Sequence, residues 1–324
     1  MRAILVTETG GPEALRPAQV PDPVPGTGEL LVQVAAAGVN FIDTYHRSGL
    51  YPVPLPFTPG VEGSGTVIAV GPDVDGVAIG DRVAWAMNTG SYAELALVPA
   101  DGVVQVPGGM DLDITGGSLL QGMTAHYLTA STHPVRSGET VLVHAAAGGM
   151  GLLLTQMATA RGGRVIGTVS TPEKEHLAQE YGAAAVIRYT EVDDLAGEVR
   201  RLTDGEGVAA VYDGVGAATF DASLAALRPR GMLALYGAAS GSVPPVDPQR
   251  LNSAGSVFLT RPSLGHYTAT RDELTWRAGD VFDAIRSGSL RIRIGGRYPL
   301  AEARRAHEDL QNRRTTGKLL LLPR

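Results

Sequence analysis

The chain has 324 residues, 44% of them hydrophobic and 19% charged, a globular balance on a length that favours two domains over one core. Its net charge is −6 with no basic run, which argues against a nucleic-acid partner, and no apolar stretch reaches the roughly 18–20 residues of a membrane helix. It contains no cysteine, so disulfides and thiolate metal sites are excluded, and its seven histidines (His46, His126, His133, His144, His176, His266 and His307) nowhere fall at the spacing of a metal motif.

Residues 1–6 are strand-like and lack the layout of a signal peptide, so a cytoplasmic location is expected. Short strand-like runs follow at 30–34, 65–71, 82–85 and 93–98, bounded by turns, and the Pro-rich stretches 20–25 and 52–59 are stiff connectors. Residues 1–120 therefore read as a β-rich domain. From about Ser118 the pattern changes to alternating helices and strands. Strands are expected at 140–143, 164–170, 185–188, 208–212 and 232–236, with a helix over 152–158. Residues 121–262 thus read as an α/β, doubly wound parallel sheet. The β-like run 256–259 is expected at its edge, where a second copy of the chain can pair, so a homodimer is expected. Residues 263–324 form a third segment: a helix over 270–287, a strand-like run at 291–299, a helix over 301–313 and a last strand at 318–322, expected to return to the first domain.

The turn after the first strand of the middle domain carries chemistry. Ala146-x-Gly148-x-x-Gly151 fits the dinucleotide fingerprint with Ala in place of the first Gly. A helix starting there points backbone N–H groups and its positive dipole end at a pyrophosphate. Gly148 lets the backbone approach the phosphates and Gly151 lets helix and strand pack closely. Strands ending at Asp213-Gly214-Val215-Gly216 and at Gly237 supply the rest of a cofactor crevice. An NAD site carries Asp or Glu about 20 residues beyond the glycines. Here that region reads Ser170-Thr171-Pro172-Glu173-Lys174. Pro172 starts a helix that turns Glu173 elsewhere. Ser170 and Lys174 suit a phosphate, and Tyr189 suits the adenosine end, so the expected cofactor is NADPH. His144, on a buried strand before the turn, is expected to be structural.

Several segments carry a family resemblance: Gly38-Val39-Asn40-Phe41-Ile42-Asp43-Thr44-Tyr45, Arg47-Ser48-Gly49-Leu50-Tyr51-Pro52, Pro59-Gly60-Val61-Glu62-Gly63-Ser64-Gly65, Val211-Tyr212-Asp213-Gly214-Val215-Gly216 and Thr260-Arg261-Pro262-Ser263-Leu264. With the glycine turn, they make the whole chain resemble the medium-chain dehydrogenase/reductase superfamily. Within it the chain is most similar to the zinc-free NADPH:quinone oxidoreductases, the group that includes zeta-crystallin. The resemblance implies a GroES-like catalytic domain beside a Rossmann domain. Zinc-dependent members of the superfamily place Cys near Asn40 and His near Val61-Glu62. Neither is present here, so no metal is expected.

The resemblance also implies site residues. Asn40, Tyr45 and Tyr51 are the catalytic candidates, with Tyr51 the first choice for proton donor. Phe41, Ile42, Asp43 and Thr44, read as a turn, belong to the nicotinamide side, and Asp43 is expected to fix that turn's conformation. Thr124 and Tyr127 line the nicotinamide end. Gly148, Gly149 and Met150 meet the pyrophosphate, and Ser170, Lys174 and Tyr189 hold the adenosine phosphate end. Gly214, Tyr236, Gly237, Phe258, Leu259 and Thr260 line the rest of the groove, and Arg313 closes over the phosphate. The implied activity is metal-free reduction of a quinone by NADPH. The alternatives are reduction of an enone or enoyl thioester, and NADPH binding without catalysis.

Overall fold

The computed structural model describes residues 1–323. The chain forms two compact units. One comprises Met1–Met123, Thr268–Ser287 and the segment from Ile292 to the end of the described chain; the other comprises Thr124–Tyr267 and Gly288–Arg291.

The first unit opens with β1 (Arg2–Leu5) and β2 (Arg16–Gln19), an antiparallel pair. Then come β3 (Glu29–Val39), α1 (Phe41–Ser48), β4 (Glu62–Val70), β5 (Arg82–Ala86), β6 (Leu95–Pro99) and β7 (Val103–Gln105). Two helices follow, α2 (Leu112–Thr115) and α3 (Leu119–Tyr127), and α3 runs from the first unit into the second at Thr124. Residues 41–45 are thus the start of a helix and not a turn. Asn40 is extended before it and Gly49 closes it with φ +80, a left-handed cap that suits glycine.

The second unit alternates as its sequence suggests. Its strands are β8 (Thr140–Val143), β9 (Arg164–Val169), β10 (Ala185–Arg188), β11 (Val208–Asp213), β12 (Leu227–Leu235) and β13 (Phe258–Thr260). Between them run α4 (Gly149–Ala160), α5 (Pro172–Glu180), α6 (Leu195–Arg201), α7 (Phe220–Ala226) and α8 (Gln249–Ser253), and α9 (Leu264–Tyr267) follows. All neighbours pair in parallel in the order β10-β9-β8-β11-β12-β13, the doubly wound order that reverses beside its first strand. Every residue of β11 is buried, as a strand covered by helices on both faces must be. Leu142, Ile166, Val211 and Leu233 anchor this core.

The last segment adds α10 (Arg271–Arg286), β14 (Ile294–Pro299), α11 (Ala303–Gln311) and β15 (Lys318–Leu322) to the first unit. A Thr270/Glu273 capping box starts α10. The main sheet runs β14-β15-β3-β4-β5-β7, with β6 also on β3. Its centre, β3, pairs antiparallel with both β15 and β4. Trp85 and Tyr92 are fully buried in the core beside it, and the Trp85 indole N–H donates to Ser91 Oγ at 2.9 Å, meeting the need of a buried ring nitrogen.

Candidate functional site

In the second unit, the chain leaves β8 at Val143 and enters α4 with extended Gly148 as N-cap. The first intrahelical bond that reaches this cap is Leu152 N–H to Gly148 O, 2.9 Å. The N–H groups of Gly149, Met150 and Gly151 precede it and have no intrahelical acceptor, which is the general state of a helix start and suits an anion. Gly151 is required by space: a Cβ there would overlap the carbonyl oxygen of Ala145 and lie 2.6 Å from Ala146 Cα. Ala145 itself sits at φ +50, a conformation that costs a non-glycine residue about 1–2 kcal/mol.

A buried polar cluster holds this turn. Asp213, at the end of β11, accepts the N–H groups of Val215 (2.8 Å) and Gly216 (3.0 Å) on Oδ1, and the hydroxyls of Thr219 and Ser223 (both 2.7 Å) on Oδ2. Ser223 Oγ, having donated to Asp213, is the acceptor for His144 Nε2 at 2.9 Å, which leaves His144 Nδ1 to accept from Thr168 Oγ1 at 3.0 Å. Burial lowers the His144 pKa and keeps the ring neutral. Ends of β8, β9 and β11 are thereby tied to α7. His144 and Asp213 were legible as strand ends; the hydroxyls of Thr168 and Ser223 were not singled out.

At the end of β9, Thr171 Oγ1 caps α5 by accepting Lys174 N–H at 3.3 Å, and Lys174 Nζ reaches Ser170 Oγ at 3.5 Å. Tyr189 N–H donates to Val169 O at 3.0 Å and its ring is exposed. Ser170, Lys174 and Tyr189 are therefore neighbours, with exposed Glu173 on the first turn of α5. This donor set, with no acid at the strand end, fits a ribose phosphate. Gly214 packs on the Tyr236 ring, where a Cβ would come within 2.7 Å of the ring, and Gly237 packs on Gly214. Thr124 and Tyr127 are buried, and Tyr127 stacks on Tyr267 with centroids 4.2 Å apart. Phe258, Leu259 and Thr260 form the edge strand β13.

The first unit holds the other candidates on and around α1. Its buried residues are Asp43, Thr44 and Arg47, all polar. Thr44 Oγ1 donates to Phe41 O at 2.7 Å. Phe41, Ile42 and Tyr45 are half-buried, and Tyr51 is exposed. The rings of Tyr45 and Tyr51 meet edge-on at 5.2 Å, held by Tyr51 N–H to Tyr45 O at 3.1 Å. Arg313 is exposed beyond α11 at φ +57.

Asn40 is buried and its amide is fully engaged. Nδ2 donates to Glu62 Oε2 (3.0 Å) and Gly38 O (3.3 Å), while Oδ1 accepts from Lys318 Nζ (2.6 Å) and Gln121 Nε2 (3.3 Å). Lys318 Nζ also lies 2.5 Å from Glu62 Oε2, and Glu62 Oε1 accepts Leu120 N–H at 2.8 Å. Asp43 Oδ2 accepts Asn40 N–H at 2.8 Å and the Tyr92 hydroxyl at 3.1 Å, while Oδ1 has no partner among the described residues. Burial raises the Asp43 carboxyl to about 7, against the pull of Asn40 N–H, Lys318 and Tyr92. Beyond Tyr92, its hydroxyl oxygen is 3.0 Å from His307 Nε2, and His307 Nδ1 is 3.1 Å from Arg47 Nη1.

Glu62, Tyr92, His307 and Lys318 were not singled out as functional in the sequence. A signal existed for two of them. Glu62 interrupts a run of small residues on a strand, and Lys318 leads a wholly apolar one; a charge inside such a pattern is buried only with a partner. Among the described residues, no group of three or more His, Cys, Asp or Glu is placed to hold a metal ion, and no helix is long and apolar enough to cross a membrane.

The family model described as alcohol dehydrogenase GroES-like domain matches residues 26–108, and that described as zinc-binding dehydrogenase matches residues 149–275. A quinone oxidoreductase of Pseudomonas aeruginosa is 46% identical, covering 97% of both chains. A 2-haloacrylate reductase of a Burkholderia species is 42% identical, covering 99% of this chain and 98% of its own. A mycobacterial protein solved in complex with NADPH superposes with a TM-score of 0.97 at 57% identity, covering 100% of both chains. Relatives at this identity, matched from end to end, place the chain in the zinc-free quinone oxidoreductase family of the medium-chain dehydrogenase/reductase superfamily.

Proposed function

We propose that this chain is an NADPH-dependent quinone oxidoreductase that works without a metal. The observation that carries the reading is the end of β9, where Ser170 and Lys174 lie together and no acid stands at the strand end. That arrangement accommodates a ribose phosphate where an NAD site would set a carboxylate against it. The first turn of α4, with Gly148, Gly149 and Met150, takes the pyrophosphate. NADPH, when bound, supplies hydride.

The residues of this chain then have separate tasks. Tyr51, exposed just beyond α1, gives its phenolic proton to the reduced acceptor oxygen. Tyr45, edge-on to it, sets the ring's orientation. Asn40 acts from beneath: its amide ties the head of α1 to Glu62 and Lys318. The buried His144–Asp213 cluster keeps the glycine turn in its strained, open form.

A homodimer paired along β13 is part of this proposal. Phe258 is 57% exposed on that edge strand, and an uncovered edge with an apolar side chain invites pairing. A cytoplasmic location suits a reductase drawing on NADPH.

A second reading, reduction of an activated carbon–carbon double bond, is favoured by the 42% identity to the 2-haloacrylate reductase. The test is the loss of reduced-nicotinamide absorbance with para-benzoquinone, phenanthrenequinone, an enone, 2-chloroacrylate and crotonyl thioester, each with NADPH and with NADH. Fast quinone turnover with NADPH is expected. Turnover of the enone, chloroacrylate or thioester alone moves the assignment to a double-bond reductase, and tight NADPH binding without turnover of any acceptor refutes both readings.

A further inference from the structure

Helix α1 is held in an unusual way. Its buried residues are polar while its apolar residues Phe41, Ile42 and Tyr45 are only half-buried, so the usual arrangement of a surface helix is inverted. Apolar packing tolerates small rotations, whereas hydrogen bonds fix both distance and direction. The side chains that do the holding start and finish on α1. Arg47 reaches His307 on α11, His307 reaches Tyr92 before β6, and Tyr92 returns to Asp43, one turn before Arg47. All four residues are at least 98% buried, with exposures of 2% for Arg47 and 0% for His307, Tyr92 and Asp43.

The direction of every bond in this loop is determined. A guanidinium has only donors, so His307 Nδ1 must present its lone pair to Arg47. Burial and the Arg47 charge hold the His307 pKa down at about 3, so the ring is neutral and its single proton is on Nε2. That N–H takes the lone pair of the Tyr92 oxygen. The Tyr92 proton is then directed to Asp43 Oδ2, beside the N–H of Asn40. Gly60 secures the Tyr92 ring: it lies at φ +91, and a Cβ there would overlap Tyr92 Cδ1. Arg47 is itself anchored by Gly10 O at 3.2 Å and Gln311 Oε1 at 3.1 Å.

We propose that Arg47, His307 and Tyr92 are positioning residues for the reaction: a one-way series of hydrogen-bond donors that closes on Asp43 and fixes α1 so that Tyr45 and Tyr51 are correctly aimed. The inference rests on the role proposed above for those two tyrosines. None of the three positioning residues touches the acceptor in this scheme; they act through the helix.

The test compares His307→Leu with His307→Gln, because a glutamine amide can accept from Arg47 and donate to Tyr92 while leucine can do neither. His307→Leu is expected to lower kcat for quinone by about tenfold or more, the scale of a small misplacement of a reacting group, with NADPH affinity within about twofold of the parent. His307→Gln is expected to recover most of that loss. Equal losses in the two variants, or no loss in a folded His307→Leu protein, would overturn the proposal. Nitrogen NMR of His307 in the unsubstituted protein gives a test that does not depend on the variants folding: an Nε2–H tautomer is expected at neutral pH, and an Nδ1–H or doubly protonated ring is incompatible with the series. If the parent protein turns over no quinone, the proposed activity fails; if it turns over quinone but shows the other tautomer, the positioning proposal alone fails.

Discussion

Lys318 and Glu62 face each other across a strand that belongs to neither of them. Lys318 begins β15 and Glu62 begins β4, and β3 lies between those strands. The two side chains meet over Gly38 of β3, where a Cβ would overlap Glu62 Oε2 and lie 2.8 Å from Lys318 Cε. The pair is removed from water, with side-chain exposures of 2% and 0%. A pair buried this deeply is costly to break from one side, because the surviving charge has no compensation. Lys318→Met should therefore destabilise the first unit by about 3–5 kcal/mol, and adding Glu62→Gln should restore part of the loss. Denaturant unfolding followed by tryptophan fluorescence checks this, since both tryptophans, Trp85 and Trp276, lie in the first unit. Additive losses would show that the two side chains do not depend on each other.

Asp43 and His307 predict a pH dependence that cancels. The Asp43 carboxyl is raised from 3.8 to about 7, so between those values the folded state holds a proton the unfolded state has lost, and stability falls as pH rises. The His307 ring is lowered from 6.5 to about 3, so there the unfolded state holds the extra proton, and stability falls as pH drops. Each contribution is about 4–5 kcal/mol over its window, and the windows nearly coincide. The parent protein should show little net slope from this pair between about pH 4 and about pH 6.5, while His307→Gln should lose stability steadily as pH rises from about 4 to about 7. Unfolding midpoints measured across that range would reveal the slope, and a flat profile in the variant would refute the assignment.

Lys174 should set cofactor preference. Lys174→Ala removes the cation beside Ser170 and should weaken NADPH binding by about tenfold, near 1.4 kcal/mol, with NADH binding little changed. Ser170→Asp should reverse the preference, since a carboxylate at that point accepts ribose hydroxyls and repels phosphate. Fluorescence titration with both cofactors reads the ratio directly. Equal effects on the two cofactors would place Lys174 outside the phosphate site.

Tyr51→Phe should lower kcat by about a hundredfold while NADPH affinity is retained, the range expected for loss of a general acid. Tyr45→Phe keeps the ring that Tyr51 packs against and should cost less than Tyr51→Phe. Steady-state kinetics with para-benzoquinone compares them. A Tyr51→Phe enzyme with unchanged kcat would pass the proton to another group or to water.

What could be read from the sequence was governed by how local the cause is. Strands β8, β9 and β11 and the turn between β8 and α4 declare themselves, because their apolar runs and glycines are contiguous. Strand β15 was also legible, at 318–322. Residues 41–45 read as a turn from the sequence but start a helix in the structure: Phe41, Ile42 and Tyr45 lie on its half-buried side and Asp43, Thr44 and Arg47 on its buried face, so its pattern is the reverse of the usual one and only eight residues long. The candidate clusters were only half legible. Ser170 and Lys174 are four positions apart and meet within one turn of chain. Asp43, Tyr92 and His307 are brought together by pairings between distant segments, and no local pattern announces them.

The arrangement around Gly38 also has a consequence for synthesis. Lys318 and Asn40 are 278 residues apart in the chain, yet the ammonium of one is the counterion for the carboxylate beside the other. A ribosome releases the segment carrying Glu62 and Asp43 long before it reaches β15, so this acidic pocket has to wait, open and hydrated, while the whole Thr124–Tyr267 segment of the second unit emerges and folds. The unit that is begun first is thus the one finished last, and chains released before Lys318 should be recognised as incomplete by the proteases that sample exposed sheet edges.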